Sequence, residues 1–151
     1  MRAVVDSSSW ISLARAGLLD VLRTAAVEPV LLDVVRAEIV DEGRRGGYSD
    51  ATALAAAVAD LQQTPTAGRA PIDARILEAA RTIGMLIAND LALGRRARSL
   101  GIAWIRTADL ILLAVESGSM SGREGIQGVT ALEASGRITS ELADAYREQL
   151  S

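Results

Sequence analysis

The chain has 151 residues, enough for one self-sufficient domain, with 50% hydrophobic and 23% charged residues and a net charge of −3. It contains no Cys, His, Lys or Phe, and all 16 basic residues are Arg. This excludes disulfides, thiolate nucleophiles, Cys- or His-ligated zinc, Ser-His-Asp triads, Schiff bases and a P-loop lysine.

Carboxylates, hydroxyls, amides and arginine remain, and chemistry built on them points to a hard cation such as Mg²⁺ or Mn²⁺ in an oxygen cage. The small negative charge demands no polyanionic or membrane partner. No stretch approaches the ~18–20 apolar residues that span a bilayer. Arg2 is followed by only three apolar residues before Asp6, too few for a leader's hydrophobic region, so a cytoplasmic protein with no membrane contact is expected.

In chain order, Ala3-Val4-Val5 reads as a short buried strand, and Asp6-Ser7-Ser8-Ser9 as the capping cluster of a helix through Ala14. Gly17 interrupts that helix, Leu18–Leu22 form a second helical turn, and Glu28-Pro29 end the unit. Val30–Leu32 is a second strand, and a helix runs from Asp33 to about Glu42 with Val34, Val35 and Ile39 inward. Glycines 43, 46 and 47 mark a loop carrying Arg44 and Arg45. Asp50 caps an Ala-rich helix to about Gln62, and Thr64–Pro71 is a connection. Asp73 starts a helix with Ile76, Leu77, Ala80 and Ile83 on one face. Gly84 stops it before the strand Met85–Ala88, and Asn89-Asp90 precede a helix to Leu100 with Arg95, Arg96 and Arg98 outward. Ile102–Ile105 is a further strand, and Thr107 caps a helix through Glu116. Two last helices, near 123–134 and 140–150, have no strand between them and predict a helical hairpin.

Short, continuously apolar strands alternating with helices define an α/β fold: a parallel sheet of four to five strands, covered on both faces and joined by right-handed crossovers. One domain spans residues 1–151, with a core to about 118 and a helical extension from about 119. Ligands of such sheets bind beyond the carboxyl ends of the strands. Asp6 and Asp90 stand there, either as helix caps or as metal ligands; Mg²⁺ needs only one or two direct carboxylates. Glu38 and Asp73 are the next candidates, with a solvated helix face and an N-cap as their structural alternatives.

Four segments carry a resemblance: VVDSSSWISLARAGLLDVL, VLLDVVRAEIVDEG, DARILEAARTIGMLIANDLALGRRARSLGI and AWIRTADLILLAVESGSMS. Their order and spacing resemble the PIN-domain ribonucleases over residues 1–106, and the last resembles toxin-type variants with extra C-terminal helices. The resemblance implies a PIN-like three-layer fold and an acidic cluster of Asp6, Glu38, Asp73 and Asp90 that binds Mg²⁺ or Mn²⁺ and is catalytic. It implies support from Ser7, and a neighbouring ligand or orienting role for Asn89. Where some members place a further acid after the fourth position, this chain has Leu91, Ala92 and Leu93, and Asp109 is the next acid near a helix start.

The implied activity is metal-dependent endoribonuclease cleavage of single-stranded or structured RNA, plausible for the toxin of a toxin–antitoxin module. A cognate antitoxin protein and a homodimeric state follow as expected partners. Arg44, Arg45, Arg95, Arg96 and Arg98 are candidate phosphate contacts, with a solvated surface as the alternative. Two other readings compete: a non-catalytic PIN-like module that binds RNA or protein, and an aspartate-based phosphatase or receiver-like domain. The second usually needs another Asp close to the first or a late Lys, and neither is present.

Overall fold

The computed structural model describes residues 1–42 and 50–151. Strand β1 (Arg2–Val5) is the expected apolar run, and Ala3, Val4 and Val5 are fully buried. Helices α1 (Ser7–Arg15) and α2 (Val21–Thr24) lead to β2 (Glu28–Leu32). The expected helix after β2 is α-helical only over α3 (Asp33–Arg36) and widens into a π-helical turn over Ala37–Glu42. Arg36 and Asp41 pair at 3.6 Å across that widening, five residues apart, the spacing that a π turn stacks. Arg44 and Arg45 lie outside the described residues.

Helix α4 (Asp50–Val58) holds Asp50 in its first turn, and the Asp50 carboxylate pairs with Arg15 at 3.3 Å. Strand β3 (Gln63–Thr64) follows, in part of what the sequence presents as a connection. Both its residues are exposed, and it exists through backbone pairing with β2 in the register Leu31 to Gln63 and Leu32 to Thr64. Helix α5 (Ile72–Ile83) ends at Gly84, whose φ of 103° suits a residue without Cβ. Then come β4 (Met85–Ile87), α6 (Leu91–Ser99), β5 (Ala103–Ile105), α7 (Thr107–Glu116), α8 (Gly122–Ala134) and α9 (Ser140–Leu150).

The sheet is fully parallel in the order β3-β2-β1-β4-β5, with Val4 paired to Val30 on one side and to Leu86 on the other. The chain builds outward from β1 through β2 to β3, then jumps back across the sheet to β4. Right-handed crossovers place the helices joining β1 to β2 and β3 on one face and those leading to β4 and β5 on the other. After the last strand, α7 returns to the first face. Helix α1 accordingly packs with α4 and α7, while α5 packs on β1 and β4 beside α6. Three layers result.

The core is continuous. Val4, Leu31, Leu86 and Ile87 of the sheet join Trp10 and Leu13 of α1, Ile111 of α7, and Leu132 and Tyr146 of the C-terminal hairpin. Each fully buried Val or Leu contributes about 1.5–3 kcal/mol. The hairpin α8–α9 forms as expected and shares this core, packing on α7. The apolar spacing of α6 predicts Leu91, Leu93, Ala97 and Leu100 inward; Leu93 and Ala97 are buried, but Leu91 and Leu100, at the helix ends, are exposed. Gly94 of α6 lies against the Trp104 indole, where any Cβ would fall inside the ring. No helix among the described residues is long and apolar enough to cross a membrane.

Candidate functional site at the switch point of the sheet

Strand order reverses between β1 and β4, so the crevice beyond their carboxyl ends is where this topology leaves room for a ligand. Asp6 ends β1 there. Its amide still donates to Ile87 O at 3.1 Å, and its extended backbone (φ −77°, ψ 169°) turns the chain into α1. As a cap, its Oδ1 accepts from the Ser9 amide at 2.9 Å and its Oδ2 from Ser8 Oγ at 2.8 Å.

Asp6 is only 4% exposed. Burial pushes its carboxyl up from the ordinary range, and the nearby Asp90 charge adds to the rise; hydrogen bonds from Ser9 and Ser8 act against both and do not cancel them. Ser7, the next residue, is also buried, and its Oγ has no hydrogen-bond partner. A buried hydroxyl left unpaired costs free energy, so a group that bonded Ser7 Oγ would remove that cost.

Asp90 ends the β4 segment and caps α6, its Oδ1 accepting from the Ala92 and Leu93 amides at 2.9 and 3.2 Å. Its carboxylate is exposed, and no hydrogen bond reaches Oδ2 among the described residues. Both strand-end acids are therefore helix caps, and both also face one crevice closely enough for one charge to act on the other.

Of the two roles implied for Asn89, its hydrogen bonds leave room for orienting and not for ligation. Its Nδ2 donates to Ser12 Oγ at 3.0 Å, and its Oδ1 accepts from both the amide and the hydroxyl of Thr107, at 3.1 and 3.0 Å. With both lone pairs of Oδ1 occupied, Asn89 is a clamp joining α1, β4 and the start of α7 rather than a metal ligand. Ser12 Oγ in turn donates to Ser8 O at 2.7 Å, so one chain of hydrogen bonds runs from Asp6 to Thr107.

The other two acids do not complete a cluster. Among the described residues, no three Asp, Glu, His or Cys side chains are disposed to hold one metal ion. Glu38 is half-buried on the π-helical turn. Asp73 is exposed in the first turn of α5, the helix that packs on β1 and β4. The expected four-acid convergence thus reduces to the pair Asp6 and Asp90.

Asp109 is structural as well. Its Oδ2 accepts from the Arg106 amide at 2.8 Å and its Oδ1 from Tyr146 Oη at 2.7 Å, fastening α9 to the start of α7. Burial, then the Asp109 carboxylate, raises the Tyr146 phenol far above its usual range, so it stays a neutral donor.

Arg95, Arg96 and Arg98 are exposed on α6, as expected. Sequence reasoning passed over Arg106, just after β5, and Arg137, in the turn between α8 and α9, which line one cavity together with Asn89, the neighbour of Asp90. A signal for Arg106 was present: it follows β5 as Asp6 follows β1. No family model, no curated protein and no solved structure matches this chain.

Proposed function

We propose that this protein is a metal-dependent endoribonuclease of PIN type, cleaving RNA at the crevice between β1 and β4. The observation that carries the reading is the state of Asp6: a carboxylate held under burial, beside a second carboxylate and a buried hydroxyl without a partner. A divalent cation fits this donor set. It would offset the desolvation of Asp6 and its repulsion by Asp90, and Ser7 Oγ would gain a partner.

Asp6 and Asp90 would hold Mg²⁺ or Mn²⁺ with Ser7 in support, and waters would fill the remaining positions, as this ion class prefers. Such an ion supplies a nucleophilic water and neutralises charge on the phosphoryl oxygens, without His or Lys. The Ser8–Ser12–Asn89–Thr107 chain keeps the two strand ends in register, so Asp6 and Asp90 stay aimed at one place. The toxin role rests on the resemblance of the four sequence segments alone.

An aspartyl-phosphate mechanism fits less well, because Ser7, Ser8 and Ser9 follow Asp6 where such sites usually place a second Asp, and the chain has no Lys. A non-catalytic nucleic-acid module has one observation in its favour, the absence of a third acid at the crevice among the described residues.

Incubating purified protein with single-stranded RNA and Mn²⁺, with and without chelator, decides between them. Cleavage is expected with Mn²⁺ and is abolished by EDTA. Asp6→Asn should lose more than the roughly 10–100-fold that removing a merely supporting partner costs. RNA left intact by folded protein in Mn²⁺, or cleavage that survives chelation, overturns the nuclease reading; binding without cleavage promotes the non-catalytic module.

A further inference from the structure

A cavity of about 480 Å³ lies beside the Asp6–Asp90 crevice, between the carboxyl edge of the sheet and the turn that opens α9. Asn89, Arg106, Arg137, Thr139, Glu141 and Leu142 are among the residues that line it. Two guanidinium groups thus face one space.

Arg137 Nε is buried and donates to nothing. No ion pair reaches this side chain among the described residues, and the acid whose charge acts on it, Asp50, is already bonded to Arg15 at 3.3 Å. Burial and the Arg15 charge together push the Arg137 guanidinium below its usual range, the signature of a cation short of an anion. Glu141, the acid in the lining, pairs with neither arginine.

Arg106 is preset from the other wall. Its guanidinium stacks over Trp104, 5.2 Å from the ring centroid, and Arg98 sits 5.1 Å from the same centroid. The indole is itself immobilised, donating through Nε1 to Ala88 O at 2.8 Å with Gly94 beneath it. Thr139 caps α9 by accepting from the Leu142 amide at 3.2 Å, so the first turn of an eleven-residue helix adds its partial positive charge to the same wall.

We propose that this cavity is a phosphate subsite, in which Arg106 and Arg137 grip a backbone phosphate of single-stranded RNA next to the cleavage crevice. The assignment rests on the ribonuclease reading for its choice of ligand, while the anion chemistry stands on the cavity alone. Planar guanidinium forks suit a phosphate, and two of them from different elements hold it in register with Asp6 and Asp90. The C-terminal hairpin thereby acquires a role beyond packing: it delivers Arg137.

Binding of a fluorescently labelled single-stranded RNA is measured in EDTA across a salt series, so that cleavage does not enter. Arg137→Gln and Arg106→Gln should each weaken binding about tenfold, the loss of one charge-assisted contact. The slope of log K against log salt should flatten by about 0.7 per lost contact. Arg123→Gln, on the exposed side of α8, should change neither.

Inorganic phosphate should compete with the RNA and raise the melting temperature of the wild type but not of Arg137→Gln. That variant should be no less stable in plain buffer, because it removes a cation that has no partner. Arg137→Lys, which keeps the charge but loses the fork, should fall between.

Variants that bind RNA with wild-type affinity and salt slope overturn the subsite, even if the protein cleaves RNA. Phosphate binding that depends on Arg137 while RNA binding does not would reduce the cavity to a small-anion site and overturn the RNA assignment. Arginine-dependent binding by a protein that never cuts sinks the nuclease reading and leaves this one standing.

Discussion

Asp6 and Asp33 occupy equivalent places, each the first residue beyond a central parallel strand, yet their carboxylates behave in opposite ways. At Asp33 burial acts upward but loses. Thr66 donates to it through its hydroxyl at 2.7 Å and its amide at 3.2 Å, Val34 N donates at 2.7 Å, and Arg75 adds its charge, so the carboxyl falls below the usual range. At Asp6 burial wins, no cation stands near among the causes acting on it, and a second acid opposes it. The contrast separates a fastening from a site. Asp33 ties the end of β2 to the chain beyond β3 and is satisfied within the protein. Asp6 is held in a state that a bound cation would improve.

The largest expected effect is metal binding. Mn²⁺ at a hundredfold excess over Kd should stabilise the wild type by about 2.7 kcal/mol. For a domain of this size that raises Tm by roughly 5–10 °C. Asp6→Asn should lose most of the response, whereas Asp33→Ala should keep it. Thermal melts with and without EDTA measure this, and indifference of the wild type to Mn²⁺ erases the contrast.

Next in size is the fastening itself. Asp33→Ala removes the acceptor of three hydrogen bonds and should cost about 1–3 kcal/mol. Equilibrium denaturation measures the loss, and a variant as stable as the wild type would show that the Thr66 contacts contribute nothing. Without metal, Asp6→Asn should instead be as stable as the wild type or more so. Its amide oxygen keeps the Ser9 bond, and the rotatable Ser8 hydroxyl turns to accept from the new NH₂.

The smallest effect is in pH dependence, and its sign differs between the two acids. The folded pKa of Asp6 is raised, so its unfavourable contribution is present at neutral pH and disappears as pH falls through that value toward 3.8. The folded pKa of Asp33 is lowered, so its favourable contribution is present above 3.8 and is lost as pH falls through the folded value. In chelator, any stability advantage of Asp6→Asn at pH 7 should therefore shrink on acidification before the deficit of Asp33→Ala does. Shrinkage in the reverse order contradicts the assignment.

The α/β class, four of the five strands and the C-terminal hairpin follow from local signals, because buried strands are apolar runs and helix starts carry Asp, Ser or Thr. Strand β3 escaped because Gln63 and Thr64 bear no apolar signal; its backbone pairs with β2 only once β2 is in place. The π-helical turn after α3 escaped for a similar reason, since its apolar spacing passes for an ordinary helix.

At the crevice, the strand-end positions of Asp6 and Asp90 are local facts, fixed by where an apolar run meets a cap. Which groups share a space with them is not. Asn89 looked like a ligand until Ser12 and Thr107, 77 and 18 residues away, occupied its amide. Asp73 looked like a fourth acid, yet among the described residues it joins no group of three acids that could hold one ion. Arg137 carried no local signal at all; the hairpin folded back, set it at the wall of a cavity and left its buried Nε without a partner. The sequence by itself determined the apolar strands, the capped helices and the acids at their ends, through hydrophobic runs and capping chemistry. Tertiary structure alone decided which charges are answered, because burial and a distant partner set the state of a carboxylate or guanidinium, and neither exists until the layers close.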